Sequence, residues 1–481
     1  MGFLAGFLSR ERVEAARFLA HPLKELRKAR KAWSLWALLE DHLVEEPSPK
    51  DLEAEASVGL IGGFLTEASD GCKPRETAAV TFLTGSGWIF HPKGWEGLAE
   101  ALAGKPPPDG LKLAALKAYG CYLLAFASRK TFWLFREPMS PEPLHYHFSP
   151  KLFVFSQSKR HLWRLGFRRL GKLKPGWGLK AEAGGASTFQ LASLHPEPAR
   201  MRLTEALERI SQSLQEAFQL RVEGLRGRAA VLFSGGLDSS LTAFLLEKAG
   251  LKPTLYTAGF ESSKDLEEAE EAAEILGLPF KARVLRVEEA ERLVEKAVYA
   301  CERPNRLDVE VTIPLYSAAE EARNNGFNLF FLGQGFDELF AGYARYPRIA
   351  GGGWKHLAEA LLKDVQELPE NLERELATAL TLTVRFELPA ADLRLAVEAL
   401  KAPPRLKVLR FEDSLRKRIL RKAARKMGLP EALALKPKKA MQFSSGADKA
   451  LRSLARERNL KVEDFLAEIF FKVFGFRPWE A

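Results

Sequence analysis

Two short stretches hold the residues best suited to chemistry. In VLFSGGLDSSLTAFLL, residues 231 to 246, an apolar run gives way to a Gly-rich turn and then to an amphipathic run. Strand, Gly-rich turn and helix together form an anion grip. Gly235 and Gly236 can take backbone angles closed to other residues and turn their N–H groups inward, and a helix beginning near Leu237 adds the positive end of its dipole. The hydroxyls of Ser234, Ser239 and Ser240 supply further donors. The stretch lacks the GK[ST] ending of a Walker phosphate loop. Asp238 sets a carboxylate beside the anion, where it would repel phosphate, so it makes sense chiefly as a ligand for bridging Mg²⁺. In FFLGQGFDELFAGYARY, residues 330 to 346, the pattern returns. Gly333 and Gly335 let the backbone approach a ligand, and Asp337 and Glu338 stand at a helix start. Each stretch also has a plainer reading, a Ser/Asp cap in the first and two acids capping a helix in the second.

The elements that must position these residues follow from pattern and composition. A chain of 481 residues exceeds what one core usually organises, so two domains are expected. Apolar residues at 46% and charged residues at 28% mark a soluble globular chain. In residues 1 to 195, RVEAARFLAHPLKELRKARKAWSLWALLEDHL reads as helix, and AAVTFLTGSGWIF, CYLLAFASRKTFWLFRE and KLFVFSQS read as strands, which predicts an α+β layer domain. A Gly- and Pro-rich stretch places the linker near residues 190 to 200. In residues 196 to 481, short continuous apolar runs alternate with helical ones, from AAVLFSGG to NLFFLGQG. That predicts an α/β domain, a doubly wound parallel sheet with ligands at the carboxyl ends of its strands, mainly helical after about residue 352. The formal charge of +10 leaves nucleic acid open as a partner, but the basic stretches carry no nucleic-acid motif. Cys72, Cys121 and Cys301 have no CxxC spacing, which argues against a disulfide framework or zinc ribbon and for a cytoplasmic, reducing setting. The start MGFLAGFLSRER predicts neither a signal peptide nor a membrane anchor.

SGGLDSS resembles the pyrophosphate loop of ATP pyrophosphatases, which cleave ATP between the α and β phosphates. On that reading Asp337 holds the second side of a Mg²⁺–pyrophosphate unit, opposite Asp238. GQGFDELFAGY is similar to the SGEGADELFGGY motif of the asparagine synthetase family. The likeness continues through YTAGFESSKDLEEAEEAAEILGLPF, CERPNRLDVEVTIPLYSAAEEA and LRKRILRKAARKMGLPEALALKPKKAMQFSSG, and so covers nearly all of residues 200 to 450. It implies that the backbone near Leu232 and Gly259 holds adenine, that residues from Ser234 to Ser239 hold the β and γ phosphates of ATP, and that Asp238 and Asp337 hold Mg²⁺. It implies further that Lys438, or Lys439 because the register is loose, neutralises charge building on the α-phosphate and the leaving pyrophosphate. A lysine suits that role, since carboxylate attack on phosphorus concentrates negative charge.

The chain also departs from the family. Glutamine-hydrolysing members begin Met-Cys-Gly, whereas Gly2 stands here and no cysteine precedes Cys72. Glycine cannot form a thioester, so a degenerate glutaminase-like domain of the N-terminal nucleophile-hydrolase type, kept as scaffold, is expected over residues 1 to 195. Gln334 replaces the motif's Glu, Thr383 faces another usual Glu, and Arg385 remains. An amide cannot serve as a carboxylate base. β-Lactam-forming synthetases are similar in both respects. The expected activity is an AMP-forming ligase that adenylates a small-molecule carboxylate and passes it to ammonia or an amine. A homodimer is compatible with that reading. An RNA-modifying ATP pyrophosphatase and a non-catalytic nucleotide-binding relative are the alternatives.

Overall fold

The computed structural model describes residues 2–27, 33–39, 42–65, 75–77, 81–91, 94–102, 105, 107–128, 130–182, 185–223, 225, 228–261, 263–437 and 445–480. The chain divides into two compact units, Met1–Ser193 with Trp479–Ala481, and Leu194–Pro478.

Two antiparallel sheets make the first unit. One runs in the order Gly171–Lys172, His145–Ser149, Leu152–Ser156, Gly2–Glu14, Glu55–Leu65, Trp33–Leu39, His42–Glu45. The other runs Gly185–Gln190, Trp177–Glu182, Thr131–Arg136, Tyr119–Ala127, Thr81–His91, Arg75–Thr77. Their facing sides meet in a core where Leu4, Leu8 and Leu60 pack with Leu123, Phe132 and Leu134. The strand Tyr119–Ala127 is apolar on both faces because both are covered. Its Tyr122, Leu124 and Phe126 turn the other way, onto Leu98, Leu111 and Ala114 of the helices Gly94–Ala101 and Asp109–Lys117. The helix Ala16–Arg27 packs on the strands Gly2–Glu14 and Glu55–Leu65, with Phe18 stacked on Phe7. These layers are the α+β arrangement read from the sequence.

The long N-terminal helix is a correction. The described helix is Ala16–Arg27, and Trp33–Leu39 and His42–Glu45 form a pair of antiparallel strands instead. Ala37 and Leu38 point to opposite sides of the sheet and are both buried. A short run that is apolar on every side has no period to tell a strand from a helix.

The second unit is an α/β domain. Five parallel strands lie in the order Phe280–Leu285, Thr254–Phe260, Ala229–Leu232, Leu329–Leu332, Arg385–Glu387. In chain order this is 3-2-1-4-5, a doubly wound sheet whose connections turn in opposite directions on either side of the first strand. The crevice at the carboxyl ends of Ala229–Leu232 and Leu329–Leu332 is therefore the switch point. The fifth strand lies within the region read as helical, inside LTVRFELPAAD. It has only three residues, too few to show a period. No described helix is long and apolar enough to cross a membrane.

Candidate functional site

A cleft enclosing about 1190 Å³ of empty space, open solvent included, lies at that switch point. Its floor is the Gly-rich turn after Ala229–Leu232. The helix Leu237–Lys248 follows directly, with Gly236 as its N-cap, so its first N–H groups face the cleft. Gly235 turns the chain at φ +67, and a Cβ there would lie 2.5 Å from the Glu268 carbonyl oxygen and 2.7 Å from Ala269 Cα. This position requires glycine both for its angle and for its space. The hydroxyls of Ser234 and Ser239 lie 3.2 Å apart, and Ser239 Oγ accepts from the Ser234 N–H. Both hydroxyls are thus held at the loop, beside the cleft. Ser240 is fully buried inside the helix packing and does not line the cleft.

The second wall is the turn after Leu329–Leu332. A Cβ at Gly333 would come within 2.8 Å of the Asp238 backbone, so the two turns meet there. Gly335 takes φ +100 and caps the short helix Phe336–Phe340. The two acids of that helix part ways. Asp337 faces the cleft, whereas Glu338 is buried and accepts a 2.6 Å hydrogen bond from the Tyr343 hydroxyl. Burial, reinforced by the neighbouring Asp337 charge, pushes the Glu338 carboxyl above the usual range despite that bond.

Asp238 and Asp337 converge on one cation. The ammonium of Lys417 lies 2.7 and 2.5 Å from the two oxygens of Asp238 and 2.6 Å from Asp337 Oδ1. Its side chain is 1% exposed, and the two aspartates are 17% and 19% exposed, so the carboxylates keep the solvent side while the lysine comes from beneath. Gly342 makes room for this contact, since a Cβ there would overlap Asp337 Oδ1 and Lys417 Cε. We expect Gly342→Ala to cost about 1–3 kcal/mol of stability by overpacking. The same change should slow any ATP-consuming reaction more than a hundredfold, read from a thermal melt alongside nucleotide turnover; a fully active variant would refute the geometry.

Lys407 lies beneath the Asp337 helix. It is fully buried, its Nζ donates to the Leu339 carbonyl at 2.9 Å, and burial lowers its pKa to about 7. Between that value and the ordinary value of 10.5 the unfolded chain binds a proton that the folded chain does not. Stability must therefore climb with pH across that window, by up to about 1.4 kcal/mol per pH unit, and be lost as pH falls through 7. Urea midpoints measured from pH 6 to 9 should rise in the wild type relative to Lys407→Met, and parallel curves would show that the amine does not titrate there.

Of the residues singled out from the sequence, Leu232, Ser234, Gly236, Leu237, Asp238, Ser239, Gly333, Gln334 and Asp337 line the cleft. Gly235 shapes the turn from behind. Gly259 stands one residue beyond the lining stretch Tyr256–Ala258, pressed 2.5 Å from Ser263 Oγ by any Cβ it might carry. Lys438 and Lys439 lie outside the described residues; Lys436, just before them, reaches the cleft and pairs with Glu268 at 3.6 Å. Thr383 and Arg385 lie away from the described cleft lining. Thr383 caps the helix Glu373–Leu382 at φ +53, and Arg385 is bound by Glu387 at 2.7 Å in a buried network with Arg221 and Asp392. Among the described residues neither lines the cleft, whereas Gln334 does.

Lys417 is the residue that reading the sequence missed. It is one of many cations in LRKRILRKAARKMG, and nothing local marks it. One signal was present: with Arg421 it falls in line with the buried Leu420 and Ala424, where a charge must find partners.

Two protein carboxylates that share one position suit a nucleotide-borne cation. Among the described residues no group of three or more His, Cys, Asp or Glu could hold a metal unaided. Mg²⁺ characteristically takes one or two carboxylates and fills its remaining positions with phosphate oxygens and water. Two carboxylates against one ammonium leave a net negative charge there, which fits Mg²⁺ carried by ATP.

Residues 209–361 and 349–467 match the family model described as Asparagine synthase. A Methanocaldococcus jannaschii protein, provisionally named a glutamine-hydrolyzing asparagine synthetase, is 30% identical over 407 residues, which span 74% of this chain and 74% of the relative. Glutamine-hydrolyzing asparagine synthetases of Lotus japonicus and Pisum sativum are 26% identical over 231 residues, 45% of this chain and 39% of each relative. Among solved structures, the glutamine phosphoribosylpyrophosphate amidotransferase of B. subtilis covers 59% of this chain and 65% of its own at 12% identity and a TM-score of 0.33.

Proposed function

This chain belongs to the asparagine synthetase family, and on that premise we propose that it is an ATP-dependent ligase that adenylates a small-molecule carboxylate and passes it to ammonia or an amine. The observation that carries the proposal is the convergence of Asp238 and Asp337, from two βα turns at the switch point, on a single cationic position. An oxygen of the substrate carboxylate attacks the α-phosphorus, the bond to the bridging oxygen breaks, and pyrophosphate leaves with that oxygen's electrons. The nitrogen lone pair then attacks the acyl carbon of the acyl-adenylate, AMP leaves, and the spare proton passes to solvent.

Each residue has a task in that reading. N–H groups of the turn before Leu237–Lys248, with the Ser234 and Ser239 hydroxyls, bind the β and γ phosphates and leave the α-phosphorus open. Asp238 and Asp337 would hold Mg²⁺, which supplies charge neutralisation on the phosphates when bound. Lys417 and Lys436, with Lys438 or Lys439 beyond, supply positive charge toward the leaving group. Gln334 can donate to or accept from the acyl acceptor but cannot take its proton, which favours an amine that arrives neutral.

The test is a pyrophosphate-release screen of carboxylic acids, each with ammonia or a panel of amines, with AMP measured in parallel. Matched release of pyrophosphate and AMP with one acid supports the reading. Release of phosphate with ADP would sink the adenylation step, and a salt-sensitive shift of tRNA by the purified protein would favour an RNA substrate instead.

A further inference from the structure

Arg421 lines the cleft beside Lys417, yet its guanidinium donates to backbone carbonyls. Its Nε donates to the carbonyls of Leu415 and Arg416 at 3.0 and 2.9 Å, and Nη2 donates to Leu415 at 2.6 Å. Its Nη1 donates to the carbonyls of Ala434 and Lys436 at 2.7 and 2.8 Å. The residue is 3% exposed. The first group of acceptors belongs to the turn that carries Lys417, and the second to the segment from which Lys436 enters the cleft.

That turn is strained. Arg416 takes φ +50 and Lys417 φ +48, two consecutive residues with Cβ atoms in the left-handed region. Such residues stay there only when their surroundings hold them. The turn is what allows Lys417 to leave the start of the helix Arg418–Met427 and place its ammonium between Asp238 and Asp337. Asp413 assists from outside by accepting the Arg416 N–H at 3.0 Å. Through five donor contacts the guanidinium ties the turn directly to the Ala434–Lys436 segment. A planar fork of five N–H donors can serve carbonyls on two separate chains, and an ammonium with three cannot do so in this geometry.

We propose that Arg421 is the positioning residue of the cleft: it holds the left-handed turn at Arg416–Lys417 and the Ala434–Lys436 segment together, and thereby aims both cationic arms at the leaving group. The proposal rests on the ligase reading for its consequence in turnover, but not for its geometry.

The test uses the full chain and reads two quantities. One is the rate at which Lys417 is reductively methylated, followed by mass spectrometry with the buried Lys407 as an internal standard. The other is pyrophosphate release with its kcat and KM for Mg·ATP. In the wild type Lys417 resists methylation. Arg421→Lys should expose it at least tenfold, with Lys407 still protected, and lower kcat about thirtyfold. Adding Arg416→Gly, which takes a positive φ without steric cost, should restore most of the protection and about tenfold of the kcat. A residue that merely supported the fold would show no such rescue. Should Arg421→Lys expose Lys407 as well, and so prove unfolded, substitutions at 416 in the wild type decide. Arg416→Val, disfavoured at positive φ, should expose Lys417 and slow release, whereas Arg416→Gly should do neither. Protection of Lys417 that is indifferent to Arg421→Lys, or to the residue at 416, overturns the proposal. An absence of pyrophosphate release in the wild type with an intact methylation pattern would instead overturn the ligase reading alone.

Discussion

Replacing Lys417 with methionine should slow pyrophosphate release roughly 100- to 1000-fold, the range seen when one positioned electrostatic donor is removed from a reaction centre. The same change should confer affinity for Mg²⁺ in the absence of nucleotide. Methionine keeps an unbranched stem and fills the buried channel, so packing is largely retained. What disappears is the charge that both aspartates now share. Two carboxylates whose oxygens flank one nitrogen would then repel each other, on the order of 3 kcal/mol at an effective dielectric near 20. A divalent ion relieves that repulsion, and in the variant no ammonium competes for the position. Thermal melts of Lys417→Met should therefore fall in EDTA and recover with millimolar Mg²⁺, while those of the wild type barely respond. Titration calorimetry with Mg²⁺ alone should show binding in the variant only. A variant with wild-type release would mean that Lys417 is a buried strut and no part of the reaction.

The contrast between Lys417 and the two aspartates shows which parts of this site could be read from the sequence. Asp238 and Asp337 each sit in a local pattern, an apolar strand, a Gly-rich turn and a helix start, and local patterns survive in a linear reading. Their meeting follows from topology: both turns leave the carboxyl ends of neighbouring parallel strands, so the 3-2-1-4-5 order brings them together. Lys417 has no such mark. It reaches the cleft through a left-handed turn held by Arg421, and the sequence of that turn, Arg416–Lys417, contains neither glycine nor asparagine to announce it. Thr383, which faces a usual Glu of the family, ends a helix here at φ +53, and its hydroxyl bonds to the adjacent Leu382 carbonyl. Trp33–Leu39 failed for another reason. A run of apolar residue types on both faces has no polar side to set its period, and its strand neighbours decide that it is extended.

Asp238→Asn should abolish pyrophosphate release, at least about a thousandfold, while leaving the protein folded, because the carboxylate's neighbours separate its charge from its structural duties. The backbone around it is held independently. The Asp238 carbonyl accepts from Thr242 Oγ1 at 2.8 Å, and Gly333 packs on main-chain atoms of the loop rather than on the side chain. Lys417 keeps Asp337 at 2.6 Å, so no ammonium is stranded in the interior. Asparagine fills the same volume and can still accept a hydrogen bond from that lysine, and the melting temperature should move by only a few degrees. The charge balance immediately around Lys417 changes more. Two carboxylates facing one ammonium leave a net negative charge that favours a divalent ion carried in on ATP, and one carboxylate facing one ammonium leaves none. The variant should therefore need far more Mg²⁺ for any residual turnover, and its affinity for metal-free ATP should be equal to or better than that of the wild type, since a repulsive charge has gone from beside the phosphates. Measuring release against Mg²⁺ concentration and ATP affinity with and without the metal separates these effects. If Asp238→Asn retained release with an unchanged Mg²⁺ requirement, the carboxylate would be no more than a helix cap, and the cation position defined by Lys417 would have to be filled from Asp337 alone.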